Sequence, residues 1–522
     1  MTLGRHKHIN QALMRIARRA ESTDRTTLAT TYVTAGSLSA VLNSTDHQIL
    51  YGRRGTGKTH ALLYLSDLVE CAGDVVVYLD LRTIGSAGGP SPDRADRGTQ
   101  LLVDTLEAIH EELLAVALEQ EITSPERLLR ALDALADAAT GVEVVGEIER
   151  ETTLGGSAEV NDTAGLSLSA RPTVSVSSTT RRSATRQNRV RKTGIERNRV
   201  LFGPLTRALR AITDAISPAR LWLLLDEWSS IPLELQPLLA DLLRRGVLPV
   251  AGITVKIAAI ERRTRFALPT QDGDYLGLEV GADAASAVNL DDVLIFDHAR
   301  HRVEEFFGQL FFNHANAKLA TMIPDPPADP PSLITETFRG TAFTELVRAA
   351  EGVPRDAINI AALAAQHAHD DSIDIADIRR AARDWYLRDK QAAINNNEPA
   401  RHTLQLLIDE VVGRRRSRTF VLDQATSIGH DIINTLYDAR LLHIVRRGIT
   451  DPQHPGRLYD GFAVDYGCYV ALLLDGQPRN RPRDRNRWLT SPKSIPPEDF
   501  NLAKTAINLG LFQDPLWPDT PG

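Results

Sequence analysis

YGRRGTGKTH, residues 51–60, is the stretch whose reading decides the fold. Gly52-Arg53-Arg54-Gly55-Thr56-Gly57-Lys58-Thr59 fits the pattern G-x-x-x-x-G-K-[ST], with His60 directly after it. The residues leading in, HQILYG (47–52), are short, apolar and β-prone. Those leading out, HALLYLSDLVECAG, put Leu62, Leu63, Leu65, Leu68 and Val69 at helical spacing. A glycine-rich turn between a strand and a helix makes an anion cradle. The glycines let backbone N–H groups turn inward onto a phosphate, and the helix N-terminus adds the positive end of its dipole. In that geometry Lys58 neutralises the β- and γ-phosphates of ATP, and Thr59 offers its hydroxyl to Mg²⁺.

Such a site needs an acidic residue ending a second buried strand, and LWLLLDEW (221–228) supplies one. Five apolar residues in a row read as a parallel strand covered on both faces. Asp226 at its end is expected to hold Mg²⁺ through water, and Glu227 to polarise the attacking water. Phosphoryl transfer is mostly positioning and charge neutralisation, so these few groups suffice for it. VVVYLDL (75–81), a strand within VLPVAGITVKIAAI (247–260) and, more weakly, LGLEV (276–280) are expected in the same sheet. Strands alternating with helical stretches give an α/β class, with a mainly parallel sheet flanked by helices.

EGVPRDAINIAALAAQHA (351–368) follows, with Gly352 and Pro354 punctuating the start of a helix. With this stretch the chain resembles the AAA+ P-loop ATPases, most closely the origin-recognition-type initiator clade and related bacterial ATPases. The resemblance covers roughly residues 30–465 and is specific at the phosphate loop, the acidic strand end and this helix start. It implies a helical lid whose arginine reaches the γ-phosphate, and Arg355 holds that position. It also implies that TYVTAGSLSAVL (31–42) packs near the adenine. The family ends its fourth strand with a polar sensor residue; here Glu261 and Arg262 stand there, so that role has no clear owner. Arg262, Arg263 and Arg265 are arginine-finger candidates for a neighbour's site, or a plain solvated turn.

The expected organisation is an ATPase core over 1–325, a helical lid over 332–395, a winged-helix domain over 400–475 and a tail over 476–522. PDPPADPPS (324–332) is a connector and NNNEPAR (395–401) a boundary. Residues 142–200 form a β-rich insertion in the core. VEVVGEIE and GLSLSARPTVSVSS (165–178) alternate at period two, as amphipathic strands of a long hairpin would. TTRRSATRQNRVRKTGIERNR then turns basic, and reads as a solvated helix first, with disorder and a nucleic-acid or partner contact as the alternatives. After residue 400, two helical stretches and two strands around DPQHPG outline the winged helix. The initiator clade carries one there and contacts duplex DNA with it, although such domains also dock proteins. Arg414, Arg415, Arg416, Arg418, Arg446 and Arg447 bring charge to it, while the second helix carries Asp431 and Asp438.

The formal net charge of −7 excludes a chain built to coat nucleic acid, so any such contact must come from a local basic patch. Two cysteines, Cys71 and Cys468, support neither a zinc site nor a disulfide framework. No cysteine or acid stands at ligand spacing from the His298/His301 or His367/His369 pairs. The basic N-terminus lacks a signal-peptide core, and no run of 18 apolar residues occurs, so a cytoplasmic protein without a membrane span is expected. Three functions fit: an ATP-driven switch acting on DNA or a DNA-bound partner; a genome-defence or signalling ATPase in which nucleotide controls homo-oligomerisation or a protein effector; and a nucleotide-binding scaffold with little turnover.

Overall fold

The computed structural model describes residues 2–17, 23–34, 38–84, 94–119, 125–139, 142–152, 188–198, 200–269, 275–284, 286–293, 295, 300–451, 454–474 and 502–507. The alternating stretch at 165–178, most of the basic run before Asn188, His298 and nearly all of the tail lie outside them.

The chain opens with helices α1 (Thr2–Met14), α2 (Arg25–Thr31) and α3 (Leu38–Leu42), then strand β1 (Gln48–Tyr51) and helix α4 (Lys58–Cys71). Next come β2 (Val75–Asp80), α5 (Arg94–Glu119), α6 (Pro125–Ala139), β3 (Val142–Thr152), β4 (Asn188–Asn198) and α7 (Phe202–Ile216). After these stand β5 (Leu221–Asp226), α8 (Gln236–Leu242), β6 (Ile253–Ala259), β7 (Ala267–Pro269), β8 (Tyr275–Gly277), β9 (Ser286–Asn289) and α9 (Leu290–Val293).

Five of these strands form one parallel sheet in the order β2-β5-β6-β1-β9. Alternation explains why both of its faces are covered. Leu221, Leu223 and Leu225 of β5 join the core under α5–α8, while Trp222 and Leu224 join the one under α3 and α4. Every residue of β5 and β6 is buried, as central strands of a parallel sheet covered on both faces must be. Each leucine so placed contributes about 1.5–3 kcal/mol of burial.

Two expectations about strands need correction. LGLEV is not in the sheet: β8 pairs antiparallel with β7 in a separate ribbon. Gly277 approaches so closely there, at φ 121°, that an added Cβ would lie 2.0 Å from the Phe266 carbonyl oxygen. The fifth strand is β9, whose sequence SAVN carries no apolar run. The insertion does contain a hairpin, but its second strand is the basic β4 rather than a helix, paired with β3 from Val142↔Asn198 to Thr152↔Asn188.

The rest of the chain is α10 (Arg300–Met322), α11 (Pro330–Thr337), α12 (Ala342–Ala350), α13 (Pro354–Ala368), α14 (Ile375–Trp385) and α15 (Glu398–Leu407). It ends with β10 (Thr419–Asp423), α16 (Gln424–Ile428), α17 (Asp431–Asp438), β11 (Leu442–Thr450), β12 (Leu458–Val464), α18 (Tyr466–Leu474) and α19 (Leu502–Thr505). Pro354 opens α13 at a position where the missing N–H costs nothing, and Asp374 caps α14 in a reciprocal box with Asp377. The strands β10, β12 and β11 form an antiparallel sheet in that order. The apolar stretch after Asp465 is the buried helix α18, not the end of a strand. Residues of α1, α10–α15, α17, α18 and the C-terminal sheet share one hydrophobic cluster, so these elements pack as a continuous body. Among the described residues no helix is long and apolar enough to cross a membrane.

Candidate functional site

The turn between β1 and α4 lies at the carboxyl end of the parallel sheet. Gly52 N–H is held by the Ala259 carbonyl of β6 at 3.2 Å. Gly55 and Gly57 take φ values of 86° and 97°, conformations that favour glycine. A Cβ on Gly55 would also come within 2.7 Å of the Arg355 Cβ, so this glycine is required twice. Lys58 is buried at the first turn of α4 and donates to the Gly52 and Arg53 carbonyls at 2.8 and 3.1 Å. Burial lowers its pKa, against the pull of Asp226 and Glu227.

A cleft of about 510 Å³ opens over this turn. Arg54, Gly55, Gly57, Lys58, Thr59 and His60 form its floor. Glu227, Ser229 and Ser230 come from the end of β5, Arg263 from the end of β6, Arg82 from the end of β2, and Pro354 and Arg355 from the start of α13. The Arg355 N–H donates to the Gly55 carbonyl at 3.1 Å, so the start of α13 rests directly on the turn. Five cationic side chains (Arg54, Lys58, Arg82, Arg263 and Arg355) line the cleft with one carboxylate, Glu227.

The two acids ending β5 part company. Asp226 is buried beneath the cleft, where it accepts from the Tyr78 hydroxyl at 2.8 Å and from the Glu227 N–H at 2.7 Å. Glu227 takes φ 54°, and that left-handed backbone accompanies its place on the cleft wall. For a non-glycine residue this conformation costs about 1–2 kcal/mol. Among the described residues no group of three His, Cys, Asp or Glu could hold a metal unaided. Oxygen donors at the cleft include the Thr59 hydroxyl and Glu227 on its wall, with Asp226 buried beneath, a donor class that suits Mg²⁺ brought in with phosphate oxygens.

Other residues singled out by sequence are placed differently. The Arg53 side chain points away from the cleft. It is buried against Asp291 (2.8 Å to Nε, 2.9 Å to its N–H), His443 and the face of Tyr437. Gly52 and Thr56 shape the turn, and the Thr56 hydroxyl donates to the Arg53 carbonyl at 2.8 Å. The Arg262 guanidinium is buried, donates to Ser427 O and Asn434 Oδ1 at 2.9 Å each, and lies against Tyr437 and Phe462. It is therefore placed against this chain's own C-terminal body and not toward a neighbour. Arg263 faces this chain's own cleft and pairs with Asp438 of α17. Arg265 is exposed, its N–H held by Gln236 at 2.7 Å.

His60 Nε2 bonds the Leu28 carbonyl at 2.8 Å, and its ring meets the edge of Tyr32 at 5.2 Å. Behind it a smaller cavity is lined by Tyr32, Val33, Leu38, Leu290, Phe306 and His314. Tyr32, Val33 and Leu38 thus line a cavity that shares Gly57, His60, His314 and Pro354 with the cleft. Sequence reasoning missed Arg82, whose position after a sheet strand was a usable signal. It also missed His314 and Asp438, which arrive from remote helices with no local pattern.

No family model matches the chain, and no curated protein matches it. A solved structure, that of Drosophila ORC bound to DNA, is similar at 11% identity over 87% of this chain and 92% of that one, with a TM-score of 0.30. The two are too distant for the likeness to bear on function.

Proposed function

We propose that this protein is an AAA+-type P-loop switch that binds ATP with Mg²⁺ and hydrolyses it. The observation that carries this reading is the cleft itself, in which a glycine turn between strand and helix, Lys58, Glu227 and Arg355 converge. A polyanion is the ligand that such a site fits. Backbone N–H groups and Lys58 take the β- and γ-phosphates. Thr59 and, through water, Asp226 would hold Mg²⁺, which would supply charge neutralisation at the phosphates. Glu227 orients and deprotonates the attacking water. Arg355 brings α13, as a lid, onto the γ-phosphate.

The test is turnover and binding by the full chain. Glu227→Gln should keep ATP affinity and lose about a thousandfold in kcat. Lys58→Ala should weaken ATP binding by about a hundredfold, since a charge-assisted contact at the phosphates is removed. ATP turnover by Glu227→Gln at the wild-type rate would remove that residue from the mechanism and leave the scaffold reading standing.

The C-terminal body, in the order helix α15, strand β10, helices α16 and α17, then the β11–β12 hairpin, is read as a winged helix acting on DNA or on a DNA-bound partner. A second reading is favoured by where α17 lies. It is engaged with the core at Arg262 and Arg263, and Arg418 and Arg447 are paired with Glu351 and Glu261 within the chain. That arrangement suits a signalling ATPase whose nucleotide controls release of a docked module. Duplex binding by the full chain, titrated with salt, separates the two. A steep loss of affinity between about 50 and 200 mM salt supports DNA contact, and no binding at the lower salt supports the second reading.

A further inference from the structure

One of the cations that line the cleft is held by a carboxylate from outside its lining. Asp438, the last residue of α17, has 12% of its side chain exposed and pairs with Arg263, which lines the cleft from the end of β6. Its Oδ1 is buried without a hydrogen-bond partner among the described residues. Burial pushes this carboxyl's pKa up, while Arg263, Arg54 and Lys58 pull it down. The carboxylate thus stands within the field of three of the cations that would receive phosphate.

The contact is built, not incidental. On the same side, Arg262 donates to Ser427 O and Asn434 Oδ1 at 2.9 Å, and the Tyr437 hydroxyl donates to Asp291 Oδ2 at 3.2 Å. Arg447 of β11 donates to Glu261 at 2.7 and 2.9 Å. These three donors tie α16, α17 and β11 to Glu261, Arg262 and Asp291 of the core, so that the last turn of α17 brings a carboxylate to Arg263.

We propose that Arg263 acts in cis on the terminal phosphates of the bound nucleotide, and that Asp438 is an internal competitor which holds it off, so that α17 loosens from the core when nucleotide is engaged. The inference rests on the nucleotide reading above. The competition follows from charge: one guanidinium cannot form its best fork with a carboxylate and a phosphate at the same time. A ligand shifts such an equilibrium by its differential affinity for the two arrangements, and here that difference is the contact Arg263 makes only when Asp438 has left.

Binding of Mg²⁺·ATPγS to the full chain tests it, with wild type, Asp438→Asn, Arg263→Gln, the double variant and Lys58→Ala measured together. Asp438→Asn should bind about tenfold more tightly than wild type, the scale of a typical coupling between sites. Arg263→Gln should bind more weakly, and adding Asp438→Asn to it should recover little, because no arginine is left to release. If wild type does not bind, or binds no better than Lys58→Ala, the nucleotide reading fails. If binding depends on Lys58 but Asp438→Asn matches wild type, the competition fails and the nucleotide reading stands. Should Asp438→Asn not fold, hydrogen exchange on wild type decides. Amides of 431–438 should exchange faster when Mg²⁺·ATPγS is added, and unchanged or slower exchange overturns the proposal.

Discussion

Arg53 and Arg54 are neighbours on one turn, yet they belong to opposite kinds of site. Arg54 faces a cleft where five cations meet one carboxylate. Arg53 enters a buried set in which each charge has a partner inside the chain. It is paired with Asp291 and bonded to His443, whose Nε2 lies 2.9 Å from Asp465. Asp465 takes Lys390 at 2.5 Å, Lys390 lies 2.9 Å from Asp356, and Asp356 is 3.3 Å from Arg440. Asp356 stands next to Arg355, whose N–H returns to the turn at Gly55. The glycine turn, α13 and the C-terminal sheet are thus joined in a circuit. A charge set closed on itself in the interior holds parts of a protein together, whereas cations gathered on the wall of an open cleft are placed where a ligand can reach them.

The largest effect should come from breaking the balanced set. Lys390 is 2% exposed. Burial lowers its pKa, but Asp356 and Asp465 outweigh that and raise it. Lys390→Met would leave Asp356 with Arg440 as its one cation and Asp465 with only His443 beside it, and cost about 3–5 kcal/mol of stability. Urea unfolding measures this, and a loss below about 1 kcal/mol would show that the circuit is not structural.

The cleft should respond in the opposite sense. Mg²⁺·ATP at 100 times its Kd should stabilise the fold by about 2.7 kcal/mol, since it binds only the native state. Arg54→Gln should change ligand-free stability by less than about 0.5 kcal/mol, because Arg54 is exposed among like charges. The same variant should bind ATP several-fold more weakly. A thermal shift series with and without Mg²⁺·ATP reads both outcomes.

This contrast also marks what the sequence could say. The turn at 52–59, the strand ending in Asp226 and Glu227, and the helix opening at Pro354 were legible because each is a local pattern whose chemistry needs its immediate neighbours. The side of the turn that Arg53 takes was not, since Asp291 and His443 reach it from more than two hundred residues away. Arg262 and Arg263 look alike in sequence. Only the seating of α17 sends one into a buried clasp and the other to the cleft. The strand β10 and the helix α18 were missed because burial on all sides erases the periodicity that separates short strands from short helices.

The smallest expected effect concerns protons, and it divides the two regions again. Burial lowers the pKa of His443 below its ordinary 6.5, and Arg53 lowers it further, while Asp465 and Glu351 pull it back. Burial likewise lowers His60, and His314 to about 4, at the cleft. A histidine with a depressed native pKa takes up its proton more readily when unfolded. Stability is therefore complete above pH 6.5 and falls below it, by up to about 1.4 kcal/mol per pH unit for each such group, until the native pKa is reached. His443→Gln should flatten that decline without ATP, because one of the groups is gone. Bound ATP should flatten it by a separate route, since phosphate beside His60 and His314 favours their charged forms and raises their native pKa. Melting curves from pH 7.5 to 5.5, with and without Mg²⁺·ATP, should show the two flattenings adding in the variant. If ATP no longer flattens the decline once His443 is replaced, the cleft and the circuit titrate as one unit and the division between them is wrong.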